Sequence, residues 1–218
     1  MQLSSEVRWF GTGVIPAQVA DWFRSALAGP VPKPETRVDV YLRLLDAEAL
    51  GVKARGVGEP GSNIELKLRQ QSVGHMALAP DVTGNLEDWI KWSFRLDAAA
   101  EQPELSLPAG SWVRVDKTRQ TRTYAVPPTG EPSPVDTVVA EGCNVELVNL
   151  RQLGDYGVHV HEAARWWSLG FEAFGSPDRV GSNLVRVATS VLAEKEFPLP
   201  LLLDDSYSYP AWLRSHLG

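Results

Sequence analysis

The chain has one cysteine, Cys143, among its 218 residues. A single thiol excludes an internal disulfide. Cys143 beside Gly142 reads as a small buried side chain, because no partner motif for a nucleophile surrounds it. An excess of positive charge is also missing. The formal charge is −6, which argues against duplex nucleic acid or an anionic membrane surface as partner. Apolar runs fall far short of the roughly 20 residues needed to span a bilayer. Met1-Gln2-Leu3-Ser4-Ser5-Glu6 has neither the basic segment nor the apolar core of a secretion signal, so a cytoplasmic protein is expected. There is no Gly-x-Ser-x-Gly and no metalloprotease helix motif. Internal repeats and a domain-separating linker are absent as well, which leaves a single domain over 1–218.

What is present is a series of amphipathic strands. Asn63-Ile64-Glu65-Leu66-Lys67-Leu68-Arg69 places Glu65, Lys67 and Arg69 on one face and Ile64, Leu66 and Leu68 on the other. Ser4 to Phe10 alternates in the same way, with Glu6 and Arg8 opposite Val7 and Trp9. Thr36 to Leu45, Gly51 to Arg55, Glu87 to Leu96, Ser111 to Tyr124, Gly142 to Leu150 and Val158 to Phe174 are further strands. Eight tryptophans are a high count for this length, and their place in strand-like segments points to wall and core packing. A helix is expected from Pro16 to about Leu27, with Pro16 at its first position. A second is expected over Ser182 to Ala193, capped by Ser182 or Gly181, with Leu184, Val185, Ala188, Val191 and Leu192 as its apolar stripe. Gly29 to Pro34 is a stiff connector, and Val126 to Pro134 is a long proline-rich loop. Many antiparallel strands with few helices define an α+β chain, with 176–218 forming a C-terminal helix and an aromatic tail. That tail, Ser206 to Leu213, docks either on its own chain or on a neighbour, which leaves room for a homodimer.

The polar strand faces gather Glu6, Arg8, Lys53, Arg55, Glu65, Lys67, Arg69, Lys91, Arg95, Lys117, Arg119, Glu146 and Glu172. Nine are basic and four acidic, so positive charge is concentrated there within an acidic molecule. If the sheet is open, these faces are wet and laced with cross-strand ion pairs. If it closes, they line a basic tunnel that draws in a polyanion. Arg and Lys would then grip phosphate oxygens, and the carboxylates would suit Mg²⁺ or Mn²⁺. A third arrangement, charges outward around a hydrophobic ligand, also fits the alternation. Of other constellations, His159-Val160-His161 has a spacing that can hold a transition metal. Asp204-Asp205 reads as a solvated turn, and Gly56-x-Gly58-x-x-Gly61 as a hairpin turn rather than a phosphate loop.

The order of these strands resembles the CYTH superfamily, the triphosphate tunnel metalloenzymes. Ser4-Ser5-Glu6-Val7-Arg8 is similar to its opening Glu-x-Glu-x-Lys strand, with Ser4 in the place of the first Glu and Arg8 in that of the Lys. Val52-Lys53-Ala54-Arg55, Ile64 to Arg69 and Lys117-Thr118-Arg119 resemble its basic strands. Val145-Glu146-Leu147 and Gly170-Phe171-Glu172-Ala173 resemble its late acidic ones. The resemblance spans Ser4 to Gly175. It implies an antiparallel eight-stranded β-barrel, or tunnel, with flanking helices, and hydrolysis of inorganic triphosphate or a nucleotide. Arg8, Lys53, Arg55, Lys67, Arg69, Lys117 and Arg119 would bind the substrate. Glu6, Glu65, Glu146 and Glu172 would hold Mg²⁺ or Mn²⁺, with Glu146 and Glu172 also catalytic. Ser4 leaves the metal side one carboxylate short, and so favours the alternative of a phosphate or organic-anion binder that does not cleave its ligand.

Overall fold

The computed structural model describes residues 1–44, 46–56, 61–95, 111–153, 164–194 and 196–216. His159 and His161 lie outside the described residues, as does the centre of the turn after Gly56. Among the described residues there are nine strands: β1 (Gln2–Thr12), β2 (Glu35–Leu42), β3 (Leu50–Arg55), β4 (Asn63–Ala79), β5 (Val82–Arg95), β6 (Trp112–Ala125), β7 (Ser133–Val135), β8 (Gly142–Leu153) and β9 (Arg165–Phe174). Eight of them pair in the order β2-β3-β4-β5-β1-β9-β8-β6, and β2 pairs with β6 to close the ring. Every pairing is antiparallel. The short β7 extends β6 outside this ring. The result is a closed antiparallel eight-stranded barrel of the α+β class. Closure removes the unpaired edges of an open sheet and fixes one face of every strand inward.

The outward face of β1, β8 and β9 is apolar and needs a cover. Helix α2 (Val180–Glu194) supplies it, burying Leu184, Val187, Ala188, Val191 and Leu192 against Val7, Val145, Leu147, Leu169, Phe171 and Ala173. Each fully buried Leu, Val or Phe among them stabilises the fold by about 1.5–3 kcal/mol. The stripe uses Val187, with Val185 at its margin. The helix starts two residues before Ser182, whose hydroxyl donates back to the Arg179 carbonyl at 2.9 Å and caps nothing. Helix α1 (Ala17–Asp21) runs into a π-helical turn over Trp22–Ala26. Pro16 stands just before α1 with extended backbone, at φ −57° and ψ 141°. Val19, Trp22, Phe23 and Leu27 join the same core.

Two regions differ from the sequence expectation. Residues 70–85 form the far half of the β4–β5 hairpin, where register shifts occur at Arg69/Gln71, Ser72/Gly74 and Ala77/Ala79. Such bulges bend a strand and strengthen its twist. They curl the hairpin so that Leu78, Val82 and Leu86 enter the core under α2. Asp81 turns the chain at φ 55°, a left-handed conformation that Asp tolerates. The aromatic tail, secondly, contains helix α3 (Tyr209–His216), which the sequence expectation does not include; its docking is on its own barrel, one of the two expected arrangements. Trp212 and Leu213 pack there against Phe10, Tyr41, Val113, Val115, Val148 and Leu150. The outer face of β3, β4 and β5 is less covered, with Leu68 and Phe94 exposed. Among the described residues, no helix is long and apolar enough to cross a membrane.

Candidate functional site

Period-two alternation on the closed strands puts the charged faces inside. One cavity of about 210 Å³ occupies the barrel interior. Its lining includes Arg8, Lys53, Arg55, Lys67, Lys117 and Arg119, together with Glu6, Glu65, Glu146 and Glu172. Of the substrate and metal candidates on the polar strand faces, all but Arg69 therefore meet in one space. Arg69 is engaged beside it, 2.5 Å from the Glu87 carboxylate. Lys91 also lines the cavity, whereas Arg95 is exposed at the end of β5. In all, eight Lys and Arg side chains face five Glu.

The cations and carboxylates are interleaved across strands. Arg8 bonds Glu146 at 2.9 Å, and Arg119 reaches the other Glu146 oxygen at 2.8 Å. Lys53 and Arg55 share Glu65, at 2.9 and 2.7 Å. Lys67 pairs with Glu6, whose carboxylate also accepts the Ser4 hydroxyl at 2.7 Å. Ser4 thus supports Glu6 as a hydrogen-bond donor. Lys117 lies 3.3 Å from Asp39 and donates to the Tyr41 hydroxyl. Glu172, by contrast, has neither an ion pair nor a side-chain hydrogen bond among the described residues.

These surroundings set the protonation states. Burial works against the charge of Glu146, but Arg8 and Arg119 outweigh it and hold the carboxyl down at about 2. Glu6 is likewise lowered: Lys67, Ser4 and Arg8 overcome its burial. Glu172 moves the other way. Burial raises it, and the charge of Glu6 raises it further. Lys117 is depressed by burial to about 7, with Arg37 and Arg8 adding to the effect and Asp39 opposing it. Lys53 falls to about 8 through burial and Arg55. Asp39 is kept ionised far below its ordinary range despite burial, because Lys117, Lys53, Arg37 and Arg55 surround it.

Several site residues lie on elements that the sequence displays without marking them. Arg37, Asp39 and Tyr41 alternate along β2, so their shared face is legible as a pattern. The fully buried Asp39 is the node that joins Lys117, Arg37 and Arg55. Glu87 and Trp89 follow the same logic on β5, where Lys67 lies 5.4 Å and Arg69 6.0 Å from the Trp89 ring centroid. Tyr207, Ser208, Tyr209 and Pro210 of the tail also line the cavity, and no strand pattern signals them.

Among the described residues, no group of three His, Cys, Asp or Glu side chains gathers to hold a metal ion. Glu65 and Glu146 are each spent on two cations. Glu6 and Glu172, direct partners across β1 and β9, are the carboxylates best placed to share one. Mg²⁺ commonly takes one or two carboxylates and fills its shell with phosphate oxygens and water. Two carboxylates would leave most of such a shell to other ligands. No protein-family model matches the chain, and no curated protein matches it.

Proposed function

We propose that the barrel takes a triphosphate-bearing small molecule, inorganic triphosphate or a nucleotide, into its basic cavity. The observation that carries this reading is the charge of the lining: eight cationic side chains against five carboxylates, in a chain whose overall charge is −6. The present ion pairs keep these cations in place. A phosphate chain would exchange with the carboxylates as their partner, and charge-assisted bonds to phosphate are among the strongest available. The resemblance to CYTH domains supports the same ligand class, although an eight-stranded antiparallel barrel is not specific to that family. Calorimetric titration with tripolyphosphate tests the reading. One-to-one binding that weakens with salt is expected, and its absence at millimolar ligand would end the proposal.

Hydrolysis is the second reading, and Glu172 favours it. This half-buried carboxyl has no ion pair among the described residues and a raised proton affinity, as a general base requires. It would take a proton from water as the oxygen attacks the terminal phosphorus and the bond to the bridging oxygen breaks, releasing orthophosphate. Mg²⁺ or Mn²⁺ held by Glu6 and the phosphates would neutralise charge on the transferring group and leave Glu172 free for the proton. Phosphate release by wild type and Glu172→Ala, with either metal, separates the readings. Turnover that E172A abolishes supports an enzyme. Tight binding that persists in chelator without turnover supports a binder.

A further inference from the structure

Resting on the anion-binding reading, we infer that the C-terminal segment makes the tunnel blind: Ser208 and Tyr209 form its floor, so that the cavity accepts only the end of a phosphate chain. The Tyr209 ring covers the two deepest cations. Its centroid is 3.7 Å from the Lys117 ammonium and 4.9 Å from the Arg8 guanidinium. Phe10 meets the same ring edge to face at 5.3 Å, and Tyr41 stacks on it at 5.9 Å. Side-chain exposure falls along the tunnel toward this end. Arg119 and Arg55 are 26% and 29% exposed, whereas Arg8 and Lys117 are 8% and 4%. Water therefore enters from the side of Arg119 and Arg55, and the aromatic floor stops it beyond Arg8. A second, independent feature points to a ligand. The Ser208 hydroxyl is buried on the cavity wall without a hydrogen-bond partner among the described residues. A buried hydroxyl left unpaired is unfavourable, and a terminal phosphate oxygen against Arg8 and Lys117 would satisfy it.

Size agrees with a short anion. The cavity of 210 Å³ is smaller than the roughly 300–1,000 Å³ of pockets that enclose drug-sized molecules. It suits a few phosphate units, with any organic portion left at the open mouth.

The full-length protein is titrated with tripolyphosphate and with long-chain polyphosphate. A blind pocket engages chain ends alone, so wild type loads at most two protein molecules per chain at any length. Tyr209→Ala opens the floor and lets the loading rise with chain length; Y209F keeps the ring, so its loading stays at no more than two per chain. Ser208→Ala weakens tripolyphosphate about tenfold, a loss of about 1.4 kcal/mol. A readout free of phosphate accompanies these. Ser168 is fully buried and accepts a bond from Arg8 at 3.3 Å. In a Ser168→Cys background, Y209A should speed reaction with a small thiol reagent about tenfold, the factor for 1.4 kcal/mol of lost closure. Melting curves confirm that each variant is folded. Wild-type loading that grows with chain length, or thiol labelling unchanged by Y209A in a folded protein, overturns the inference. Labelling that responds while no phosphate species binds leaves the closed end standing and overturns the anion reading alone.

Discussion

Glu6 and Glu172 face each other across β1 and β9, and only Glu6 has a cation bonded to it. Like charges directly opposite on a sheet are destabilising. The strain falls on Glu172, which burial and Glu6 together make harder to ionise. A carboxyl raised in this way holds its proton in the native state at a pH where the unfolded chain has already lost it. The native state then binds more protons, so stability falls as pH rises from the ordinary glutamate range through the folded pKa. Glu172→Gln removes that penalty. It should melt higher than wild type at pH 7, by a few degrees, since about 1 kcal/mol moves Tm by about 2–4 °C in a chain of this size. The difference should close at acid pH, where Glu172 is protonated. Scanning calorimetry between pH 4 and 8 checks it, and a melting difference independent of pH would refute the assignment.

The two depressed lysines make opposite predictions for folding and for binding. Lys117 titrates near 7 and Lys53 near 8 in the native state, against about 10.4 for an unperturbed lysine. Between those values the unfolded chain binds more protons than the native one, so stability rises with pH from about 7 toward 10. Over the same interval the cavity loses positive charge. Affinity for tripolyphosphate should therefore fall about tenfold or more between pH 7 and 9. Lys117 dominates, because Lys53 is partly exposed and water screens it. Lys117→Met should flatten both profiles. Melting temperatures and calorimetric titrations in one buffer series test the pair together. Parallel rather than opposed trends would show that these lysines do not set the cavity charge.

Two glycines separate the barrel wall from its contents. A Cβ at Gly170 would stand 2.6 Å from the Arg8 guanidinium carbon, inside the barrel. One at Gly84 would stand 2.4 Å from a Val7 methyl and 2.6 Å from the Trp9 ring, outside it. Gly84→Ala should cost about 1–3 kcal/mol of stability by overpacking and leave anion affinity intact in the folded protein. Gly170→Ala displaces the arginine that Glu146, Ser168 and Tyr209 hold. It should weaken tripolyphosphate by about tenfold or more, as loss of a charge-assisted contact does. Equal effects of the two on binding would place Arg8 outside the ligand's reach.

Much of this site is legible in the sequence because a strand has a period of two. Once Glu6, Arg8, Lys53, Arg55, Glu65, Lys67, Lys117, Arg119, Glu146 and Glu172 fall on alternate positions, closure of the sheet brings them together. Whether the sheet closes is not written in any one strand; the β2–β6 pairing decides it. Nor does alternation reveal partners. That Asp39 joins Lys117 and Arg55, or that Arg69 is spent on Glu87, follows from register between strands distant in sequence. The far half of the β4–β5 hairpin escapes the pattern because its bulges break the period. Ser208 and Tyr209 escape it because tertiary docking of a short helix, not local periodicity, puts them in the cavity.

Arg122 shows how the outside of the barrel is held without touching the cavity. Its guanidinium donates to five backbone carbonyls, those of Phe23, Arg24, Ala28, Gly29 and Pro30, at 2.9–3.2 Å. These carbonyls end the π-helical turn and begin the connector to β2, where no helical N–H remains to meet them. The planar fork of arginine reaches several acceptors at once, which a compact ammonium does not. Arg122→Met leaves the carbonyls buried without that donor, and should cost roughly 3 kcal/mol, the upper range for a hydrogen-bonded charged group. Tm should drop by about 6–12 °C. Arg122→Lys should recover only a small part of the loss. Tripolyphosphate affinity, measured below the melting range, should stay at the wild-type value in both variants, because Arg122 points away from the barrel interior. Full recovery of Tm in R122K would show that one charge, rather than the five-carbonyl clamp, anchors the α1 segment to β6.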